Sequence, residues 1–395
     1  MNKRLCLVTS NLAGGGAQRV VSRLSAGLAD EYDIYLVLHD GKRIDYAYEG
    51  QILDLETPVV RSTPGKVLNF LRRVKRLKKI KAGLDPQAVI SFMESSNFIN
   101  LLSGRKGKTI ISVRNFKSQQ GRSLLGKFFL AAIRLLYGRS DLIVVPAEGL
   151  KADLTGAFKI NAAKIKVIYN PIDLELIAER AAEPLPGQFK GFFQGPVLLA
   201  AGSLTIQKGQ GHLLRVFNEI RKSRPDLKLI ILGEGPLRAY LEELVDSYGL
   251  EDVVLLPGFM ANPFQFMGRA DLFVLPSIFE GFPNVLVEAM ACGLPVVASD
   301  CPSGPREILA PESDFLNRAQ KVEFASCGVL CPVISGELYR AEEPLADTEK
   351  LLAKALLTLL DDQQLSAQYR VKSKERAEDF ASESIAQEWV KMLEA

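Results

Sequence analysis

The sequence predicts an α/β protein built from two Rossmann-like, doubly wound domains. Short apolar runs that end in glycine, proline or polar residues alternate with segments whose apolar residues recur at helical spacing, which is typical of parallel sheets covered by helices. One series of such runs begins at residues 5–8, and a second begins at residues 196–202, after a stretch rich in proline and glycine. At 395 residues the chain is also longer than one hydrophobic core usually supports.

The first half predicts parallel strands that end in polar or glycine-rich clusters. We place these strands at residues 5–8, 88–93, 109–113, 141–146 and 166–173. The clusters that follow the first three strands contain, in turn, Gly14-Gly15-Gly16, Glu94 and Arg114. Open α/β sheets bind ligands at the carboxyl ends of their strands, so these residues are candidates for a binding site. The triple glycine lacks the G-x-G-x-x-G spacing of a dinucleotide site, which argues against an oxidoreductase.

The second half repeats the alternation of strands and helices. Strands are predicted within residues 196–202, 227–235, 253–259, 270–276 and 295–300, and the C-terminal segment is helical and contains Trp389. After Pro283 the apolar residues fall at helical spacing until Gly293, which is followed by Pro295 and marks the end of the helix.

Two loops of the second half have the composition of an anion site. Lys208 and Gly209 stand at the start of one helix, and Glu280 and Gly281 stand in the loop before another. Helix N-termini present unpaired N–H groups that favour phosphate, while separate carboxylates such as Glu280 and Glu288 can bind hydroxyl groups. This combination suits a nucleotide sugar, although Glu280 and Glu288 alone also fit an ordinary surface helix with two solvated glutamates.

The same residues carry a family resemblance. Residues 280–288, E-G-F-P-N-V-L-V-E, are similar to the E-x7-E signature of the retaining glycosyltransferases of family 4, which have two Rossmann-like domains facing across a cleft (the GT-B fold). Residues 202–209 resemble the family's G-R-L-x-x-x-K-G, with Ser203 in place of the arginine. The resemblance implies an acceptor-binding domain at 1–183, onto which a C-terminal helix at 379–395 packs back, and a nucleotide-sugar-binding domain at 184–378.

The resemblance also assigns expected roles. Glu280 would hold the donor sugar and Lys208 the diphosphate, as the catalytic residues. Glu288 would hold the ribose, and the remaining donor-binding residues would be Gly281, Phe282, Pro283, Asn284, Ser203, Gly258, Phe259, Gly15 and Gly16. Acceptor-binding residues would be Arg19, Arg114 and Glu94. A structural salt bridge is the alternative for Arg114. We expect Arg306 or Arg19 to supply the charge that Ser203 lacks, or else a weaker activity.

Several function classes are disfavoured by composition. There are two histidines, five cysteines without a C-x-x-C pair, and no D-x-D pair, so we expect neither a metal site nor a cofactor. The resemblance implies a UDP-sugar as the donor substrate. A net charge of +3 does not favour nucleic acid. No uncharged apolar run is long enough to span a membrane.

The most basic segment begins with Lys66 and ends with Lys81. Its apolar residues, Val67, Phe70, Leu71, Val74 and Leu77, recur at helical spacing, and its polar face is almost entirely positive. Such a helix can lie on an anionic bilayer, although an ordinary surface helix is the alternative. A second basic and aromatic segment runs from Arg122 to Arg139. Together they favour a cytoplasmic protein, peripheral on the inner face of the cell membrane, with a lipid-linked acceptor.

We therefore expect a metal-independent enzyme. The family resemblance implies a retaining transferase that moves a hexose or N-acetylhexosamine from a UDP-sugar to a polyprenyl-diphosphate-linked glycan in cell-surface polysaccharide or glycoprotein assembly. The acceptor hydroxyl would attack the face that the diphosphate leaves, and a phosphate oxygen would take the proton. Two alternatives stay open. One is a degenerate, non-catalytic nucleotide-sugar-binding subunit, and the other is a nucleotide-sugar 2-epimerase of the same fold.

Overall fold

The computed structural model describes residues 3–57, 60, 62–116, 118 and 124–395, without the side chains of residues 124–128. It divides into two compact units. The first comprises Met1–Pro171 with Phe380–Ala395, and the second comprises Ile172–Asp379. Of the basic and aromatic segment at 122–139, Arg122 and Ser123 lie outside the described residues.

The first unit is a parallel sheet with helices on both faces. Its strands are β1 (Lys3–Thr9), β2 (Tyr32–Leu38), β3 (Gln51–Asp54), β4 (Ala88–Phe92), β5 (Lys108–Ser112), β6 (Leu142–Val145) and β7 (Ile165–Val167). Its first five helices are α1 (Gly16–Gly27), α2 (Thr63–Leu84), α3 (Glu94–Leu102), α4 (Leu124–Tyr137) and α5 (Glu148–Phe158). The strand order is β3-β2-β1-β4-β5-β6-β7, and every neighbouring pair is parallel.

The second unit repeats this arrangement. Its strands are β8 (Val197–Ala201), β9 (Lys228–Leu232), β10 (Val254–Gly258), β11 (Leu272–Leu275), β12 (Val296–Ser299), β13 (Glu323–Phe324) and β14 (Val329–Cys331). Its helices are α6 (Leu174–Ala182), α7 (Gln210–Ile220), α8 (Arg238–Tyr248), α9 (Phe264–Met267), α10 (Asn284–Ala291), α11 (Pro305–Leu309), α12 (Asp347–Asp361) and α13 (Gln363–Glu378). The order is β10-β9-β8-β11-β12-β14-β13, and only β13 runs antiparallel to its neighbour.

The last helix, α14 (Ser382–Glu394), returns the chain to the first unit. Trp389 is fully buried there, and its ring centroid lies 6.4 Å from that of Phe92 on β4. Helices α14 and α1 approach closely, since a Cβ placed on Gly27 would lie 2.9 Å from the Cβ of Ala386. The aromatic and aliphatic side chains of α14 therefore complete the core of the first unit.

The strands follow the predicted pattern because both faces of each sheet are covered, so that β8 and β11 are continuous apolar runs and all five residues of β4 are buried. Strand β3 was not predicted, because Gln51–Asp54 is short, half exposed and polar at both ends.

The units also part at residue 171/172, not at the expected 183/184. The physical reason is that α6 packs on α9 and α10 of the second unit. The breaker-rich segment that follows α6 contains a short 3-10 helix, Gly187–Phe193.

Candidate active site

In the second unit the strand order reverses between β8 and β11, which are hydrogen-bonded neighbours. The segment after β8 leads into α7, and the segment after β11 leads into α10. A crevice at the carboxyl ends of strands, at such a reversal, is where open α/β sheets bind ligands. The two segments that the sequence singled out therefore lie side by side.

Two hydrogen bonds of Gln207, one accepted and one donated, join these two segments. Its carbonyl oxygen accepts a 2.8 Å bond from the Ile278 N–H, and its side-chain Nε2 donates a 2.8 Å bond to the Phe279 carbonyl. Next to it, Gly209 has a φ of +66°, and a Cβ there would lie 2.1 Å from the Pro276 carbonyl oxygen. Only glycine permits so close an approach, so the backbone that carries Lys208 is fixed against the backbone that carries Glu280.

The two predicted catalytic side chains form an ion pair. Lys208 Nζ lies 2.6 Å from Glu280 Oε1, and the side chains are 17% and 7% exposed. The same oxygen accepts a 2.7 Å hydrogen bond from Ser277 Oγ. The stem of Lys208 lies over Gly202, where a Cβ would be 3.4 Å from Lys208 Cε. A cation and a carboxylate, 72 residues apart, thus meet at the reversal of the sheet.

The loop around Glu280 is held from the side of β12. The Glu280 N–H donates a 3.0 Å bond to the Pro302 carbonyl, and Ser303 Oγ donates a 2.7 Å bond to the Gly281 carbonyl. Gly304 approaches Pro283 so closely that a Cβ would lie 2.4 Å from its Cδ. Gly281, Phe282 and Pro283 are buried in this loop, and Asn284 begins α10.

The remaining candidates of the second unit lie around this loop and along the same edge of the sheet. Glu288 lies on α10 and is 3% exposed. Gly258 ends β10 with a φ of +84°, and the following Phe259 is 70% exposed. Ser203 is exposed, and its carbonyl accepts a 3.1 Å bond from Gln210 Nε2. An exposed aromatic ring such as that of Phe259 can stack on a nucleobase.

Arg306, one of the two arginines expected to supply the charge that Ser203 lacks, is paired with two carboxylates. Its Nη2 lies 2.6 Å from Asp300 Oδ2 and 2.7 Å from Glu323 Oε2, and its side chain is 6% exposed. Two carboxylates already compensate this buried guanidinium, so withdrawing it would leave Asp300 as an unpaired buried charge. These ion pairs argue against the expectation that Arg306 takes the missing arginine's place.

The glycine-rich loop of the first unit lies under an aromatic ring. Gly15 is the N-cap residue of α1, which begins at Gly16. The guanidinium of Arg19 stacks on the ring of Tyr46 with 5.4 Å between Cζ and the ring centroid, and the Tyr46 hydroxyl donates to the Gly14 carbonyl. Glu94 begins α3, at the carboxyl end of β4. These predicted residues thus follow β1 and β4, the pair of neighbours at which the first sheet reverses.

Arg114 is buried without a carboxylate. Its Nη1 donates to Asn170 Oδ1 and its Cζ lies 5.2 Å from the ring centroid of Phe92, while Nε and Nη2 have no partner within the described part of the chain. Burial lowers the pKa of the guanidinium to about 9. The alternative of a structural salt bridge is wrong, since none of the described carboxylates pairs with it. Unsatisfied buried N–H groups are costly and point to a binding role.

Helix α2 turns part of its basic side inward. Arg73 donates to the side chain and carbonyl of Thr57, Arg76 donates to the Leu55 carbonyl, and Lys81 is fully buried against the carbonyls of Asn100 and Gly104. The basic residues that remain exposed are Lys66, Arg72, Lys75, Lys78 and Lys79.

The apolar stripe of α2 also differs from the prediction. Leu77 is buried and Phe70 and Val74 pack on the core, but Val67 and Leu71 are 56% and 58% exposed, and Leu68 is 48% exposed. Helix α2 thus presents both exposed apolar side chains and lysines to solvent. Among the described helices, none has the length and hydropathy needed to cross a bilayer.

The fold defines an α/β protein of two similar units. The comparisons with known proteins give its family. The family model described as "Glycosyl transferases group 1" matches residues 189–323, and "Glycosyltransferase Family 4" matches residues 14–176. An N-acetylgalactosamine-N,N'-diacetylbacillosaminyl-diphospho-undecaprenol 4-alpha-N-acetylgalactosaminyltransferase of Campylobacter jejuni is 32% identical over 99% of each chain. A lipopolysaccharide 1,6-galactosyltransferase of Salmonella typhimurium is 30% identical over 69% of this chain and 73% of its own.

Solved structures agree on the fold. Anabaena Alr3699/HepE in complex with UDP and glucose superimposes with a TM-score of 0.76 at 19% identity, over 100% of both chains. The chain therefore belongs to glycosyltransferase family 4 and has the GT-B fold, as predicted. It is a glycosyltransferase, an enzyme that transfers sugar.

Proposed function

We propose that this glycosyltransferase moves a hexose or N-acetylhexosamine from a UDP-sugar to a polyprenyl-diphosphate-linked glycan, with retention of anomeric configuration. The observation that carries the proposal is the Lys208–Glu280 pair at the sheet reversal of the second unit. The relative from Campylobacter is named for a diphospho-undecaprenol-linked acceptor, and the Anabaena structure contains UDP, which supports this acceptor and this donor class.

Lys208 is suited to the leaving diphosphate. It stands two residues before Gln210, the first residue of α7, so that an anion bound at this turn would meet both a full positive charge and the helix dipole. As the bond between the anomeric carbon and the phosphate oxygen breaks, negative charge grows on the diphosphate, and Lys208 stabilises it. Lys208 thus supplies positive charge at the place where other glycosyltransferases use a metal ion, and we propose no cofactor.

Glu280 is suited to the donor sugar. Both protein donors, Lys208 and Ser277, bind its Oε1, and no described residue donates to Oε2. Oε2 is therefore available to accept from sugar hydroxyls, next to the backbone of Gly281, Phe282 and Pro283. Glu288 holds the ribose and Phe259 stacks on the base. The acceptor hydroxyl attacks the face that the diphosphate leaves, a phosphate oxygen takes its proton, and configuration is retained.

In the first unit, Arg114 fits the acceptor side, because its buried Nε and Nη2 have no partner among the described residues and can donate to a phosphate or glycan oxygen. Arg19 and Glu94 complete the proposed acceptor site, and Gly15 and Gly16 are kept as proposed donor-binding residues. The exposed lysines and leucines of α2 fit an anionic bilayer surface, where a polyprenyl-linked acceptor resides. We accordingly propose a location on the cytoplasmic face of the cell membrane and a role in surface polysaccharide or glycoprotein assembly.

A panel of donors, scored by release of nucleoside diphosphate with and without polyprenyl-diphosphate sugars, tests the proposal. We expect turnover with a UDP-hexose or UDP-N-acetylhexosamine that depends on the lipid-linked acceptor. Glu280→Ala should lower it by about a hundredfold or more, whereas Glu251→Ala, which removes an exposed carboxylate after α8, should leave it unchanged. Undiminished transfer by Glu280→Ala, or turnover with GDP-mannose alone, would contradict the proposal.

Binding of UDP-sugars without any turnover would favour the non-catalytic subunit instead. The observation that favours this alternative is Ser203, which stands where the family motif has an arginine.

A further inference from the structure

We propose that Ser277 is a positioning residue that orients Glu280 for the donor sugar. This inference rests on the proposed role of Glu280 as the sugar-binding carboxylate. It concerns a residue that the sequence patterns did not single out as functional, because a serine after a buried strand is ordinary.

The geometry of Ser277 is that of a dedicated hydrogen-bond donor. The residue is fully buried directly after Pro276, at the carboxyl end of β11, and its Oγ lies 2.7 Å from Glu280 Oε1. A serine hydroxyl has one proton to donate, and here it goes to a carboxylate that is 7% exposed. Hydrogen bonds to a charged group are stronger than those between neutral groups, so this contact restricts the Glu280 side chain.

Donor binding makes this contact more important. In the structure Glu280 Oε1 accepts from both Lys208 Nζ and Ser277 Oγ. Lys208 is the residue proposed to bind the diphosphate. When the donor binds, the Lys208 ammonium group would donate hydrogen bonds to the phosphate oxygens, either in addition to Glu280 or in its place. We infer that Ser277 is the donor that stays on Oε1, because its side chain is short and fully buried against Glu280.

The hydrogen bonds of the surrounding backbone do not orient the Glu280 side chain, so Ser277 is needed for this. The Glu280 N–H is held by the Pro302 carbonyl, and the loop is joined to the Lys208 turn through Gln207. These bonds fix the Glu280 backbone but not the torsions of its side chain. When Ser277 holds Oε1, the carboxylate keeps a single orientation in which Oε2 faces the bound sugar. A carboxylate that is already oriented binds more tightly, because it loses less conformational entropy on binding.

The inference predicts that loss of the Ser277 hydroxyl affects binding of the sugar part of the donor and not binding of the nucleotide part. Ser277→Ala should lower kcat/KM for the donor by about tenfold to a hundredfold, the range expected for one hydrogen bond to a charged group. Its affinity for UDP, which has no sugar, should stay within about twofold of the wild type. A merely structural role would instead weaken UDP and UDP-sugar binding together.

The experiment uses the full chain and the variants Ser277→Ala, Ser277→Thr, Glu280→Ala and the double variant Ser277→Ala/Glu280→Ala. The probes are UDP and four donors, namely UDP-galactose, UDP-glucose, UDP-N-acetylgalactosamine and UDP-N-acetylglucosamine. Transfer kinetics and the ratio of UDP-sugar affinity to UDP affinity are measured for each. Ser140→Ala is the matched control, because it removes another buried serine hydroxyl with one 2.7 Å bond, in the first unit.

We expect Ser277→Thr, which keeps the hydroxyl, to restore most of the activity that Ser277→Ala loses. We also expect the serine substitution to have no further effect on the affinity ratio once Glu280 is alanine, because Ser277 acts through Glu280. Wild-type kinetics in Ser277→Ala, or an equal loss in both backgrounds, would overturn the inference and leave the role of Glu280 intact. Full transfer by Glu280→Ala, or no turnover of any of the four donors by the wild type, would overturn both.

Discussion

Ser203 is the residue at which this chain departs from its family's diphosphate motif. Its side chain is exposed, and its carbonyl is held by Gln210, so the backbone there is fixed while the side chain is unhindered. Arg306, the residue of the second unit that was expected to compensate, is bound to Asp300 and Glu323. Under the proposed function, the diphosphate would therefore depend mainly on Lys208 and the α7 N-terminus within this unit.

Restoring the arginine should strengthen nucleotide binding. Ser203→Arg places a guanidinium at the position where the family motif has one, and a charge-assisted contact with a phosphate oxygen should raise the affinity for UDP by about tenfold. Calorimetric titration with UDP at fixed ionic strength measures this directly. Ser203→Gln, which adds comparable length without charge, should bind UDP like the wild type. An unchanged affinity in Ser203→Arg would mean that the diphosphate does not pass near residue 203.

For single residues, the sequence predicted which side chains are candidates for the site better than it predicted the contacts that they make. Glu280 and Lys208 were singled out separately, and the parallel-sheet topology explains why they meet, since both follow neighbouring strands. Ser277 was missed, because nothing in a single serine distinguishes a buried donor from a surface hydroxyl. Its place three residues before Glu280, at a strand end, is the only signal. Which carboxylates would compensate Arg306 likewise depends on tertiary contacts that local patterns do not encode.

Among the elements, α2 shows what periodicity can and cannot predict. The helix lies where the apolar spacing placed it, but spacing alone does not say how the helix is rotated. Leu77 faces the core as expected, whereas Val67 and Leu71 face solvent. Arg73, Arg76 and Lys81 are held by backbone carbonyls, which reduces the number of cations available to a membrane. The exposed surface is accordingly smaller, and more amphipathic, than the sequence predicted.

Reversing charge on that surface should weaken membrane binding. We expect the triple variant Lys75→Glu, Lys78→Glu and Lys79→Glu to bind anionic vesicles about a hundredfold or more weakly, since each exposed basic residue contributes on the order of 1 kcal/mol. Cosedimentation with vesicles containing an anionic phospholipid measures this, and added salt should diminish the difference.

The matched control makes the same charge change in the second unit. Lys222, Lys354 and Lys372 are exposed helical or near-helical lysines away from the candidate site, and their replacement by glutamate gives the same net charge. If this control loses vesicle binding as strongly as the α2 variant, the attraction depends on net charge and not on α2.

For the whole molecule, the sequence predicted two α/β units but placed their boundary too late. Proline and glycine marked residues 184–196 as a linker, yet α6 before it packs on the second unit, and packing is not visible in local composition. The two units also differ in how they are built. The second is one continuous segment with its own core, whereas the first needs α14 from the far end of the chain. This difference predicts different behaviour when the chain is divided.

A fragment of residues 172–379 should fold and bind UDP without the rest of the protein. Its core residues all come from within the fragment, as do Lys208, Glu280, Ser277 and the bonds of Gln207. We expect a cooperative thermal transition and an affinity for UDP within about tenfold of the intact chain. A fragment of residues 1–171 should fail to fold cooperatively, because it lacks Trp389 and the other α14 side chains that complete its core.

The size of the change in UDP affinity also tests the proposed roles of Gly15 and Gly16. If their backbone contributes to the diphosphate site, the fragment should bind UDP more weakly than the intact chain by up to about tenfold, the equivalent of one good hydrogen bond. If only the second unit binds the nucleotide, the two affinities should be equal. A folded fragment with no measurable UDP binding would show that Lys208 and its loop are insufficient, and that the first unit supplies the main part of the nucleotide site.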